Sequence, residues 1–363
     1  MLSCMRGAPR MPPFHRSVMQ TMVFAGEFWE GCTCQGLADG FERAGWAVQR
    51  VDLWRFFSDP AGDLALRVIN RLVSERQRRN YCQAVLTAIQ LCEPDVFFTV
   101  KGSYIDCGTL NEIRSRGVKL VMFYPDFHFA HAGTDLETIK LYDIMFTSKS
   151  FQLEFLRRAL PERRVAFVHH GYCPSVHRPA AGPIRESDYE YDIMYIGNHS
   201  PRKFDWMLGL RQRQPARRFG IVGNRWRHHV HDTVLEPCLA ADEALGFAYA
   251  RFMRKARINI AIHAGRVPGS GDWEDLVSTR TFEIPAAKCF MLHVDNDEVR
   301  DLFEPDSEIG VFSSGEQLSD QIDFYLAHPE QRARMIEQAY RRCVPSYSYD
   351  ARAQQITELM RVG

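Results

Sequence analysis

Ser278 to Leu292, reading STRTFEIPAAKCFML, constrains the fold more than any other stretch of the chain. It sets a short polar turn, then a helix, then an apolar run from Cys289 to Val294 of the kind buried in parallel sheets. Pro285 lacks an N–H donor, so it belongs in the first turn of that helix or kinks it. Arg280 and Glu283 stand three residues apart, on one face near the helix's amino end. Such an end carries unpaired N–H groups and partial positive charge, a natural seat for phosphate. There an arginine can fork onto phosphate oxygens, and a carboxylate can accept from the two hydroxyls of a ribose. The same residues also suit a plain βα unit with a surface ion pair.

The chain opens in a similar grammar. Thr21 to Ala25 is an apolar strand, GEFWEGCTCQG a glycine-bearing turn, Leu37 to Ala44 a helix, and Trp46 to Leu53 a second strand. That order begins a doubly wound α/β domain. Gly26, Gly31 and Gly36 are too widely spaced for the dinucleotide fingerprint, which argues against NAD. Asp63 to Cys92 reads as a long helix, with Leu64, Val68, Leu72, Val85, Leu86 and Ile89 on its buried side. Its arginines 67, 71, 76, 78 and 79 make either a solvated face or a contact with anionic membrane. Pro94 to Val100 and Lys119 to Tyr124 read as about the fourth and fifth strands of the sheet. Asp143 to Thr147 and Arg164 to His169 are two more, flanking a helix from Phe151 to Ala159.

Two acids follow strands of this half. Glu27 projects from the first strand's carboxyl end, and Asp126 stands in FYPDFHF with His128 and His131 close by. A carboxylate or histidine so placed suits a general base, although a solvated loop acid and a loop cap fit equally well.

Totals exclude several classes. A chain of 363 residues is comfortable for two cores, and its 45 basic and 45 acidic residues leave no net field to attract nucleic acid. No apolar run approaches the ~18 residues of a membrane span. MLSCMRGAPRMPPFHR is basic without an apolar core, so residues 1–18 read as a disordered extension or a misassigned start, with Met19 or Met22 as the true beginning. The 10 cysteines are scattered, with only Cys32 and Cys34 close, which fits reduced thiols in the cytoplasm.

Proline, glycine and mixed polarity after HHGYCPSVHRP mark a linker over 173–189, between domains at 19–172 and 190–345. The second domain opens with YDIMYI and GNHSPRK, a strand ending at Gly197 with Arg202 and Lys203 just beyond, again suited to phosphate. Phe219 to Val222 and Ile258 to Ile262 are further strands, the latter leading through His263, a candidate substrate-binding side chain, into the loop GRVPGSGDWED. His228, His229 and His231 lack the spacing and the partner acid of a metal site. Asp295-Asn296-Asp297 has the form of a D-x-D metal motif, but it falls too late in the chain for that reading. An acidic turn, the strand Gly310 to Phe312, two helices broken at a His-Pro and the closing YSYDARAQQITELM complete the chain.

Ser278, Arg280, Phe282, Glu283, Ala286, Phe290 and Leu292 match S-x-R-x-F-E-x-x-A-x-G-x-F-x-L. This resembles the donor-nucleotide motif of GT-B glycosyltransferases, most closely the CgeB-like (spore maturation protein) branch of the group 1 and family 4 superfamily. The tail from Asp192 to Met360 is similar to theirs, whereas the first half is similar in topology alone. The resemblance implies two Rossmann-like doubly wound domains facing across a cleft, with the last helix, within 346–363, crossing back onto the first. Glu283 would hold the ribose, and Asp275, eight residues earlier, would stand in for a second acid near the sugar. Arg202 and Lys203 would neutralise the leaving diphosphate together with Arg280, and Trp226 would either stack on the base or serve as ordinary packing. Lys288 takes the place of the family's glycine, at a cost of roughly 1 kcal/mol if its backbone is left-handed.

The implied activity is metal-independent transfer of a sugar from a nucleoside diphosphate to a glycan, lipid-linked or protein acceptor. The donor is then a substrate, and no cofactor is called for. Asp126 or Glu27 would be the base of an inverting reaction. The alternative is a catalytically degenerate GT-B-like binding protein of a surface-polymer system. Either would work in the cytoplasm, with the inner membrane surface as a peripheral station.

Overall fold

A computed structural model describes residues 20–57, 64–127, 129, 136–263, 265–266 and 273–361, with the side chains of 64–73 excluded. The expectations for residues 1–18, for His128 and His131, for the middle of the 265–275 loop and for the side chains of Leu64, Arg67, Val68, Arg71 and Leu72 lie outside these described residues.

The first half builds six strands: β1 (Thr21–Gly26), β2 (Ala47–Asp52), β3 (Val96–Val100), β4 (Lys119–Tyr124), β5 (Ile144–Thr147) and β6 (Arg164–Phe167). Its helices are α1 (Thr33–Arg43), α2 (Leu64–Cys92), α3 (Cys107–Ser115), α4 (Leu136–Ile139) and α5 (Leu153–Ala159). All strand pairs are parallel, in the order β2-β1-β3-β4-β5-β6. Parallel strands covered on both faces need continuous apolar runs, and β3 and β5 are buried at every position. Sequence reading counted β3 and β4 as about the fourth and fifth strands; they are the third and fourth, because one helix, α2, fills the stretch before them.

The second half repeats the plan with β7 (Tyr191–Ile196), β8 (Phe219–Val222), β9 (Leu239–Ala241), β10 (Ala256–Ala261), β13 (Met291–Val294) and β14 (Gly310–Phe312), in the order β14-β13-β10-β7-β8-β9. Two-residue strands β11 (Gly265–Arg266) and β12 (Glu274–Asp275) form an antiparallel ladder after β10. The helices are α6 (Pro201–Arg213), α7 (Arg227–Val230), α8 (Gly246–Arg254), α9 (Arg280–Ala286), α10 (Asp297–Leu302), α11 (Gly315–Ala327), α12 (Pro329–Cys343) and α13 (Tyr349–Arg361). β9, β11 and β12 were not foreseen, being too short to show periodicity.

Pro285 sits at the sixth position of the seven-residue α9, not in its first turn. Having no N–H to give Thr281, it ends the helix instead of starting it. Lys288 then takes the left-handed conformation, φ 56°. Its ammonium lies 2.7 Å from Glu337 and over the Tyr340 ring, contacts a glycine could not make.

α13 returns to the first sheet and packs on α1. A Cβ on Gly36 would stand 2.4 Å from the Tyr349 ring, and one on Gly40 2.7 Å from the Tyr349 carbonyl. The indole of Trp46 donates to the Thr357 hydroxyl at 3.0 Å, fastening the far end. One apolar cluster therefore runs from Phe24 and Phe98 through Tyr349 and Ala353 to Phe282 and Met194. Fully burying Phe282 alone is worth about 1.5–3 kcal/mol, and its ring carries α9 into that shared core.

Candidate active site

Each sheet reverses its strand order once, between β1 and β3 and between β7 and β10. Open α/β sheets bind ligands in the crevice beyond the carboxyl ends of strands at such points. A cavity of ≈ 850 Å³ lies there, lined by Phe28, Trp29, Asp52 and Trp54 from the first half and by Gly197, Asn198, Tyr249, Arg280 and Glu283 from the second. That volume suits a small ligand of several rings.

Arg280 opens α9, and its guanidinium lies over the Tyr195 ring with Nη2 donating to the Ile262 carbonyl at 3.3 Å. Gly197 makes room for it, since a Cβ there would stand 2.8 Å from Nη1 and 2.7 Å from the Tyr195 hydroxyl. Glu283, one helical turn on, is 6% exposed. Its Oε2 accepts from the Tyr249 hydroxyl at 2.7 Å, and Oε1 faces Nε2 of His177 at 3.7 Å. The His177 Nδ1 accepts the Cys173 N–H at 3.1 Å, which leaves the proton on the Nε2 that faces the carboxylate. Burial pushes the His177 imidazole down, so it stays neutral, and burial together with Glu283 pushes the Tyr249 phenol well up.

Lys203 and Asp275 stand behind these, outside the cavity lining, and Lys203 donates to the Asn198 carbonyl at 3.3 Å. Burial and then the Arg280 charge pull its ammonium down to about 7, against the opposing pull of Asp275. Asp275 itself bonds Lys149 at 2.5 Å, and Lys149 also donates to the Val277 carbonyl at 3.0 Å. Lys149 follows β5 and is 5% exposed, so this pair ties the two halves together. Near the cavity wall, the Ser278 hydroxyl and the Arg280 Nε are buried with no hydrogen-bond partner among the described residues.

Three expected residues stand elsewhere. Trp226 is fully buried and donates its indole N–H to the Gly197 carbonyl at 2.7 Å, bracing the loop from below. No face of it is open for a base to stack on. His263, 1% exposed, is sealed against His293 at 2.9 Å. The His293 Nδ1 donates to the Val294 carbonyl, so its Nε2 accepts and His263 is the donor. Burial and neighbouring cations keep both rings neutral. Arg202 bonds Glu274 at 3.2 Å and does not line the cavity.

Asp126 and Glu27 also lie outside the cavity lining, at the ends of β4 and β1. Between them Lys101, at the end of β3, reaches Asp126 at 3.0 Å. Burial opposes its charge, but Asp126 and then Glu27 hold the ammonium above the usual lysine range. Sequence reading missed Lys101, Lys149, His177 and Tyr249. His177 and Lys101 each stood near a glycine turn that could have drawn attention, whereas nothing local marks Tyr249 or Lys149.

The Asp295-Asn296-Asp297 segment is committed to structure: Asp295 pairs with Arg300 at 2.7 Å and Asn296 caps α10. Among the described residues, the group spaced to hold a metal is His231, Asp232 and Glu236, all exposed and outside the cavity lining.

Two parallel-sheet Rossmann-like domains facing one cleft define the GT-B architecture. Residues 202–358 match the family described as glycosyl transferase-like. Similar solved structures include sucrose-phosphate synthase from Thermosynechococcus elongatus, at TM-score 0.65 and 14% identity over 94% of this chain and 98% of that one. A glycosyltransferase from Rickettsia africae follows at 0.61 and 11%, covering 95% of this chain and 100% of that one. Anabaena HepE in complex with UDP and glucose gives 0.59 and 11%, over 94% and 99%. No curated protein sequence matches the chain. The fold is thus that of the GT-B glycosyltransferases, and the sequence match to the glycosyl transferase-like family covers residues 202–358. Among the described residues no helix is long and apolar enough to cross a membrane.

Proposed function

We propose that the chain moves a sugar from a nucleoside diphosphate to an acceptor held on the side of residues 19–172, with the donor bound by residues 190–345. One observation carries this reading: Arg280 and Glu283, a helical turn apart, face the same interdomain cavity. The guanidinium would fork onto the diphosphate, and the carboxylate, already oriented by Tyr249, would accept from the ribose hydroxyls. The structural relatives described as complexes with UDP and with UDP-glucose support a sugar nucleotide as the ligand.

As the glycosidic bond breaks, negative charge builds on the departing diphosphate, and fixed positive groups there lower the barrier. Arg280 and Lys203 supply them, with the buried Ser278 hydroxyl as a further donor. Charge neutralisation is thereby assigned to side chains, and Asp295 of the D-x-D-like segment is held by Arg300. Asp126, paired with Lys101 at 3.0 Å, or Glu27 is the base of an inverting reaction in this scheme.

The test is hydrolysis of nucleotide sugars by the purified protein, with and without EDTA. Hydrolysis that survives EDTA and falls at least about tenfold in Glu283→Ala, with the melting temperature retained, is expected. Hydrolysis unaffected by Glu283→Ala would refute the site, and dependence on a divalent ion would refute its metal independence. A protein that binds sugar nucleotides without cleaving them is instead the degenerate binding scaffold.

A further inference from the structure

The phosphate and ribose ends of the cavity are accounted for by Arg280 and Glu283. The cavity continues past them toward the carboxyl ends of β8 and β9, where Asn224 and Glu243 line it. Apolar surface from Ile196, Val222 and Leu245 lies there too, as a flat base requires. Gly223 keeps the floor tight, since a Cβ on it would stand 2.2 Å from the Gly197 carbonyl.

The polar groups at this end have a definite pattern. Asn224 donates its amide to Glu243 Oε1 at 3.2 Å, and the Asn198 side-chain oxygen accepts the Asn224 backbone N–H at 3.2 Å. No cation pairs with Glu243 among the described residues, and Arg227 is held by Asp242 at 2.7 Å. A carboxylate lining a ligand cavity without a cationic partner is an acceptor for two adjacent donors. Asn224 and Asn198 bring amide donors alongside.

We propose that Glu243, oriented by Asn224, selects guanine as the base of the donor nucleotide. The inference rests on the donor-site reading above and names its substrate class. Guanine presents O6 as an acceptor next to two donors, N1–H and N2–H₂, which a carboxylate takes together while an amide serves O6. Uracil offers one donor, N3–H, flanked by two carbonyl oxygens that a carboxylate repels. Adenine and cytosine each present one exocyclic donor beside a ring acceptor. A bidentate pair of this kind is worth about 1–3 kcal/mol of discrimination, a factor of roughly 5–150.

Calorimetric titration of the full chain with GDP, UDP, ADP and CDP tests this. GDP is expected to bind at least about tenfold more tightly than UDP. Glu243→Gln, on an exposed loop and therefore neutral to folding, replaces one acceptor with a donor. It should weaken GDP about tenfold and leave UDP unchanged or tighter, narrowing the ratio. Glu283→Ala should weaken both nucleotides together and keep their ratio. UDP binding as tightly as GDP, or a GDP preference that survives Glu243→Gln, would overturn the assignment of Glu243 while leaving the donor site standing. Failure of every nucleoside diphosphate to bind would overturn both.

Discussion

Lys203 makes nucleotide affinity depend on pH in a direction the structure sets. Its ammonium is drawn down to about 7 by burial and by Arg280, with Lys149 adding to the repulsion and Asp275 opposing it. A bound diphosphate supplies the missing negative charge and returns the pKa toward the ordinary lysine value of about 10.4. Below pH 7 the lysine is already protonated, and binding costs nothing extra. Above it, binding must first protonate the amine, at about 1.4 kcal/mol for each pH unit. Affinity for a nucleotide sugar, whose diphosphate does not titrate in this range, should therefore fall about fivefold between pH 7 and 8 and about fiftyfold by pH 9. Titrations in buffers of different ionisation enthalpy should show uptake of about 0.9 proton per nucleotide at pH 8.

Folding stability should carry the matching signature. The folded pKa lies below the unfolded one, so the unfolded chain binds more protons between about 7 and 10.4, and this residue's burial cost is relieved as pH rises through that window. Lys203→Met should bind more weakly at pH 7 and lose the slope. An affinity flat from pH 7 to 9, or a slope that persists in Lys203→Met, would refute the account.

Gly197→Ala should displace Arg280, because the new Cβ would sit 2.8 Å from its Nη1; nucleotide affinity should drop at least about tenfold by titration calorimetry. Lys149→Met removes one partner of a buried pair joining the two halves and leaves Asp275 uncompensated, so the melting temperature should fall in differential scanning calorimetry, whereas Lys149→Met with Asp275→Asn should recover part of the loss. Gly40→Leu should wedge α13 away from α1, since even a Cβ would stand 2.8 Å from that of Ala353; faster proteolysis at the carboxyl end would report it.

Much of the architecture was legible because parallel strands covered on both faces must be apolar throughout, a requirement met locally by runs such as VFFTV and IMFT. The three-residue spacing of Arg280 and Glu283 likewise holds in any helix, so their shared outlook needed no tertiary knowledge. Trp226 stayed open between stacking and packing because a tryptophan after a strand looks the same whether its ring meets a ligand or the underside of a loop. His263 was misjudged for the same reason, its partner His293 lying 30 residues away on the adjacent strand.

The sequence alone determined two doubly wound sheets and the helix bearing the guanidinium and the carboxylate. The tertiary structure decided which polar groups meet. Tyr249 reaches Glu283 across 34 residues, and Lys149 reaches Asp275 across 126. Periodicity records which face of an element is buried. A site at strand ends is instead assembled from loops brought together by sheet order, and no local pattern encodes that order.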